Sequence, residues 1–354
     1  MDNPDSLERW LRVLVSRGAA DLFLVAGFAP AIRLNGAVTA IPEPLLEGEA
    51  IEAAVLPMLH PQALERYRNN GSADVSLCRP GLGRFRVNLH RERGHPAATI
   101  RALPAKPPLL IELGLPSQVE QITRLHHGLV LVGGATGSGK TTTVAALVNE
   151  INRRDAKHII TIEDPIEYEH AHQQSVVEQV EIGIDAPDFP TALRAALRQS
   201  PDVIVIGEMR DPETMKIALT AGETGHLVFS TLHTTDVTST VARVADSFPP
   251  ERQPTIRQDL SMALAAVLTQ TLLPRVGGGR VPAAELLMIG YGARQHIRKN
   301  ALQHLHQEIT MTKRYGSVTL EESLAQLVHK GLISADDART RTGHAEELEG
   351  LLRH

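Results

Sequence analysis

Apolar residues recurring every three or four positions at Leu7, Trp10, Leu11 and Leu14 predict an amphipathic helix, with Ser6 as its cap and Gly18 at its end. The period then shortens. Asp21-Leu22-Phe23-Leu24-Val25 predicts a strand, and Ala31-Ile32-Arg33-Leu34 and Ala37-Val38-Thr39-Ala40 predict a hairpin about Asn35-Gly36, a dipeptide that accepts positive φ in a two-residue turn. A helical stretch over 49–64 leads to three alternating pieces, 73–77, 83–88 and 98–101, which predict half-buried antiparallel strands with arginine-rich polar positions. Pro104, Pro107, Pro108 and Pro116 preclude regular structure over 104–116 and predict a semi-rigid linker after an N-terminal domain of residues 1–103. Beyond it, short apolar segments at 129–133, 158–162, 203–206 and 227–231 alternate with longer helical ones, the pattern of a mainly parallel sheet with helices on both faces, placed over 117–290. Helical spacing at 258–273 and 320–345 predicts a helical C-terminal region, 291–354. The fold class is therefore α/β in two domains.

Composition narrows the partners. With 36 Lys and Arg against 41 Asp and Glu, a net charge of −5 gives no general electrostatic reason to coat nucleic acid or anionic lipid. One cysteine, Cys78, excludes an internal disulfide and a four-cysteine zinc site, and fits a reducing cytosol. Met1 to Asp5 lacks the charged and apolar regions of a secretory signal and is read as mature sequence. No apolar run approaches the length of a membrane span, so the expectation is a soluble chain with no transmembrane segment.

Gly134-Ala135-Thr136-Gly137-Ser138-Gly139-Lys140-Thr141 satisfies G-x-x-x-x-G-K-[ST], directly after a predicted strand and directly before the helical segment opened by Thr142. Glycines let successive backbone N–H groups curl round phosphates, Lys140 neutralises β/γ oxygens, Thr141 ligates Mg²⁺ and the helix N-terminus adds positive potential. ATP with Mg²⁺ is the expected ligand. Asp202-Val203-Ile204-Val205-Ile206-Gly207-Glu208 reads as a buried strand ending in a carboxylate, which places Glu208 beside the phosphate loop as a second Mg²⁺ or water ligand. Glu163, ending the strand 158–162, is the choice for the group that activates water, with Glu208 as its competitor. His226 and His233 bracket the strand 227–232; two histidines without a third ligand do not make a metal site.

With the phosphate loop, Thr161-Ile162-Glu163-Asp164-Pro165-Ile166-Glu167, Val205 to Asp211, and Thr224-Gly225-His226 through His233-Thr234-Thr235 in this order, the chain resembles the secretion ATPase superfamily, most of all the PilT-type retraction ATPases of type IV pili. The resemblance implies a PAS-like N-terminal domain, a RecA-like ATPase domain with a helical C-terminal appendage, and a cytoplasmic homohexamer, peripheral to the inner membrane, working on a pilus platform protein there, with a paralogous retraction ATPase as an optional companion. It implies a catalytic role for Glu163, a Walker B role for Glu208, and γ-phosphate sensing by His226 and His233. N-terminal arginines complete the site, pointing to Arg84, Arg86 and Arg101, with Arg91 and Arg93 as further candidates. The absence of a four-cysteine motif separates the chain from pilus-extension and type II secretion ATPases. The family's A-I-R-N-L-I-R-E segment corresponds here to residues 292–299, where Arg294, Ile297 and Arg298 match. A PilU-like accessory ATPase, a Dot/Icm-type secretion ATPase, a slow ATP-binding switch and a nucleic-acid translocase are the alternatives, the last disfavoured by an aromatic content of 3%. Arg294, Arg298, Lys299, Lys313 and Arg314, with His296, His304 and His306, form a basic stretch suited either to an acidic partner or to a solvated helical face.

Overall fold

The computed structural model describes residues 5–34, 36–104 and 106–353, so Met1 to Pro4 and Asn35 of the predicted turn lie outside the described residues. Contacts divide the chain into two compact units: Met1–Lys106 with Asp164–Glu169 and Glu181–Pro187, and Pro107–Glu163 with His170–Val180 and Asp188–His354. Two short pieces of later chain thus belong with the first unit.

In the first unit, α1 (Asp5–Ser16) already includes Ser6, which is therefore a helical residue and not the cap; Leu7, Trp10, Leu11 and Leu14 are all buried. Gly18, at φ 61, ends the helix in the left-handed region where glycine carries no side-chain penalty. Next come β1 (Asp21–Val25), β2 (Ala31–Leu34), β3 (Ala37–Ala40), α2 (Gly48–Val55), α3 (Pro61–Asn70), β4 (Ser72–Arg79), β5 (Gly83–Glu92) and β6 (His95–Ala102). The single helix expected over 49–64 is two, because Pro57 opens a 3₁₀ turn and Pro61 starts the next helix. The six strands form one antiparallel sheet in the order β3-β2-β1-β6-β5-β4. One face buries Leu22, Ile32, Val75, Val87 and Ile100 in the core with α1 and α2. The other carries a cross-strand row, Arg33–Asp21–Arg101–Arg86–Ser76, set by register.

The second unit contains β7 (Gly128–Gly133), α4 (Lys140–Arg154), β8 (His158–Glu163), β9 (Val176–Glu181), α5 (Phe189–Ala196), β10 (Val203–Ile206), α6 (Pro212–Glu223), β11 (Leu227–Leu232), α7 (Val237–Asp246), α8 (Gln253–Ala263), β12 (Leu264–Pro274) and β13 (Arg280–Met288). After them come α9 (Tyr291–Arg298), α10 (Leu305–Met311), α11 (Leu320–His329), α12 (Ala335–Arg339) and α13 (Ala345–Leu352). The sheet order is β13-β12-β7-β11-β10-β8-β9, parallel from β12 through β8 and antiparallel at β13. Every residue of β7, β10 and β11 is buried, as a strand covered on both faces requires.

The helix expected over 258–273 is corrected: α8 ends at Ala263 and β12 begins at Leu264. The segment from Leu264 to Leu268 is a near-continuous apolar run, which helical and doubly buried strand environments accept equally, and the parallel partner β7 decides it. The linker expected over 104–116 contains a 3₁₀ turn at Leu110–Leu113.

Candidate active site

Within the second unit β7 runs into the phosphate loop and the loop into α4, with Gly134, Gly137 and Gly139 all at positive φ. At Gly134 a Cβ would collide with Ser138 Oγ and stand 2.7 Å from the carbonyl of Gln270, so this corner closes only around glycine. Lys140, the first residue of α4, is buried. Its ammonium donates to the carbonyls of Gly134 (2.8 Å) and Ala135 (3.0 Å) and to His233 Nδ1 (3.3 Å), which uses all three of its donors. Burial pulls the Lys140 pKa down, and the nearby Glu208 charge opposes that.

His233 follows β11. Because its Nδ1 accepts from Lys140, the ring proton sits on Nε2, which faces Glu208 Oε1 at 3.3 Å. Thr136 Oγ1 of the loop is 3.4 Å from the same Nδ1. Glu208 follows β10 and also pairs with Arg210 at 2.8 Å. Burial alone would raise its pKa, but the hydrogen bond and charge of Arg210 and the hydrogen bond from His233 outweigh it and hold the carboxyl below its usual range. A chain of polar contacts, Lys140–His233–Glu208–Arg210, therefore spans the ends of three adjacent strands. Thr231 Oγ1 donates to Gly207 O at 2.6 Å and fixes the turn that presents Glu208.

Glu163, at the end of β8, shares this edge of the sheet, since Ile162 and Ile206 are register partners. Its Oε1 accepts from Thr161 Oγ1 (2.6 Å) and Gln179 Nε2 (3.1 Å). Three strand intervals separate β8 from β7, about 14 Å between backbones, against two intervals for β10. Glu208 is thus the carboxylate nearer the loop.

His226 stands elsewhere. It precedes β11, its carbonyl accepts from Gly128 N at the start of β7, and its Nδ1 lies 3.1 Å from Ala221 O. The six residues of β11, roughly 20 Å at strand rise, separate it from His233. Within this chain His226 fastens the α6–β11 turn and does not line the phosphate loop.

Gln270 of β12 was not singled out by the sequence, yet its Nε2 donates to Ser138 O at 2.7 Å and ties the loop to the neighbouring strand. No motif spacing marks it; only the β12–β7 pairing brings it there. The buried hydroxyl of Ser138 has no hydrogen-bond partner among the described residues and is a spare donor inside the loop. Glycines held at positive φ, a buried ammonium and this hydroxyl suit a polyphosphate. The hydroxyl of Thr141 and the carboxylate of Glu208 are oxygen donors of the kind Mg²⁺ takes.

In the first unit the three arginines have separate partners. Arg84 is mostly buried, with its Nη2 3.1 Å from Glu181 and 3.3 Å from Ser76 Oγ. Arg86 faces Asp74 at 3.6 Å, and Arg101 shares the buried Asp21 with Arg33, at 2.8 and 3.0 Å. Arg91 pairs with Glu52 and Arg93 with Glu92. The basic stretch is largely engaged within the chain: Arg294 donates to the carbonyls of Ser261 and Met262 at the C-terminal end of α8, Arg298 reaches Ser261 Oγ, and Lys313 pairs with Glu322.

A family model for type II/IV secretion system proteins matches residues 109–343. The type IV pilus retraction ATPase PilT of Pseudomonas aeruginosa is 42% identical over 92% of this chain and 94% of its own length. PilU, the type IV pilus ATPase of the same organism, is 36% identical over 98% and 91%. A crystal structure of the pilus retraction motor PilT with bound ADP superposes with a TM-score of 0.88, at 41% identity, over 96% of this chain and 98% of that one. With a phosphate loop at the edge of a mainly parallel sheet, likeness over nearly the whole length and no helix among the described residues long and apolar enough to cross a membrane, the chain belongs to the type II/IV secretion system protein family, in its branch of pilus retraction ATPases.

Proposed function

We propose that the chain hydrolyses ATP to power retraction of a type IV pilus, acting as a homohexamer on a platform protein of the inner membrane. The observation that carries the ATPase reading is Lys140, held by its own loop and joined through His233 to Glu208 at one sheet edge. The output is carried by the 42% identity to PilT across both units.

Lys140 and the loop amides bind the phosphates, and Ser138 supplies a further donor. Thr141 and Glu208 are the residues to hold Mg²⁺, which screens phosphate charge when bound. His233, touching both Lys140 and Glu208, senses whether the ammonium lies on the loop or on a ligand. Glu163 orients or deprotonates the attacking water, at the strand end beside Glu208. Arg84, Arg86 and Arg101 stabilise charge on the transferred phosphoryl group from a neighbouring subunit, a role that requires the ring.

Deleting the gene in its host and complementing with wild type or Glu163→Gln tests the output. Surplus, non-retracting pili rescued by wild type alone support a retraction motor. Normal piliation with a secretion or DNA-transfer defect reassigns the ATPase to another machine. The departures within 292–299 and the likeness to PilU favour one second reading, an accessory retraction ATPase, marked by pili that still retract until a paralogue is also removed.

A further inference from the structure

A second cluster of ionisable groups lies in the C-terminal helices, and nothing in the ATPase reading uses it. One ligand atom each from His306 of α10, Glu321 of α11 and Glu347 of α13 lie within 4.8 Å of one another. His306 Nε2 and Glu347 Oε2 are 3.0 Å apart. We propose that these three side chains bind one divalent transition-metal ion, zinc by ligand type, which pins the three helices together.

The surroundings argue for a ligand. Glu321 is 1% exposed, and its Oε2 has no hydrogen-bond partner among the described residues. A buried carboxylate oxygen left unpaired costs more than a surface one, and a cation is its natural complement. Glu285 of β13 is also buried, 4.0 Å from His306 Nδ1. Among the described residues no Lys or Arg pairs with Glu285, Glu321 or Glu347, so three carboxylates face one imidazole. A dication removes that excess.

The carboxylates are also held as ligands usually are. Thr342 Oγ1 (2.7 Å) and His344 N (3.2 Å) donate to Glu321 Oε1, leaving Oε2 as the spare oxygen. Thr319 Oγ1 donates to Glu347 Oε1 at 3.1 Å, leaving Oε2 toward His306. With Nε2 as the donor to metal, His306 turns Nδ1 toward Glu285, the carboxylate–histidine arrangement that orients metal-bound imidazoles. The His344 ring stacks on His306 at 3.7 Å between centroids and holds the plane of the His306 imidazole. A tetrahedral zinc site with bonds of about 2.0–2.2 Å has ligand-to-ligand edges near 3.5 Å, so the 3.0 Å His306–Glu347 edge opens slightly while the longer edges, all within 4.8 Å, draw in by no more than about 1.3 Å. One imidazole with two carboxylates suits zinc better than the all-oxygen sets that magnesium and calcium prefer.

The test uses the full chain, stripped with EDTA and titrated calorimetrically with ZnCl₂ and, in parallel, MgCl₂, without nucleotide. Wild type should take up one zinc that His306→Gln and Glu347→Gln bind at least 100-fold more weakly, and that Thr342→Val binds about tenfold more weakly. Magnesium should not compete for it. Should the variants fail to fold, zinc-edge anomalous diffraction and the visible spectrum of the Co²⁺-loaded wild type decide alone. An anomalous peak at bonding distance from His306 Nε2 supports the site. No zinc uptake at micromolar concentration, uptake unchanged in both ligand variants, or a peak confined to the phosphate loop overturns it.

Discussion

In the antiparallel sheet of the first unit, charged side chains lie in a row across the face turned from the core, Arg33, Asp21, Arg101 and Arg86 on successive strands. In the mainly parallel sheet of the second, the chemistry gathers at strand ends: the phosphate loop after β7, Glu163 ending β8, Glu208 after β10 and His233 after β11. The difference follows from what covers each sheet. Helices on both faces leave β7, β10 and β11 wholly buried, so a polar group reaches solvent only past the last strand residue. A sheet with its core on one face can carry charged groups along the whole of the other, and there each needs a partner across the register.

The strongest break of the strand-end arrangement is Lys140→Ala, which should reduce ATP turnover to background; wild-type kinetics in that variant would remove the phosphate-loop assignment. Glu163→Gln should lower turnover by about 10² to 10⁴ while nucleotide binding, followed with a fluorescent analogue, stays near normal. Stability should register burial as well. Burial pushes the His170 pKa down to about 4, so the unfolded chain binds more protons between that value and about 6.5, and stability falls as pH drops through this window, by roughly 3 kcal/mol at pH 4. Urea melts of wild type and His170→Phe across that range check it: the slope should be smaller in the variant by His170's share.

The two ends of one strand give a sharper comparison. In a single-chain nucleotide-binding assay His233→Asn should weaken binding about 10-fold and His226→Asn less than about twofold, because only the former touches Lys140 and Glu208. Equal losses of binding would show that the far edge also serves the site. The smallest effect is expected on the arginine row: Asp21→Asn leaves two solvent-accessible arginines to turn to water and should cost about 1–2 kcal/mol in chemical denaturation.

The phosphate loop was legible because its spacing, the strand before it and the helix after it are all local. The four strands β7, β8, β10 and β11 were legible as short apolar runs bounded by Gly or charge. β12 was not, since Leu264 to Leu268 satisfies a buried helix as well as a buried strand and only pairing with β7 chooses. Gln270 was lost with it. His226 and His233 looked equivalent as neighbours of one strand, yet six residues of extended chain place them at opposite sheet edges. His306 read as one member of a basic stretch, because Glu285, Glu321 and Glu347, its actual surroundings, come from other elements. What the sequence withheld was consistently a side chain defined by distant partners.

Lys140 rests on the carbonyls of Gly134 and Ala135, two acceptors supplied by the loop that is to receive the ligand. Any anion entering must compete with them. A terminal phosphoryl group carries three oxygens, enough to accept both of the donors that the carbonyls give up. The resting loop is therefore self-satisfied, and what the ammonium adds to affinity is the difference between phosphate and carbonyl acceptors, not the whole of a new ion pair.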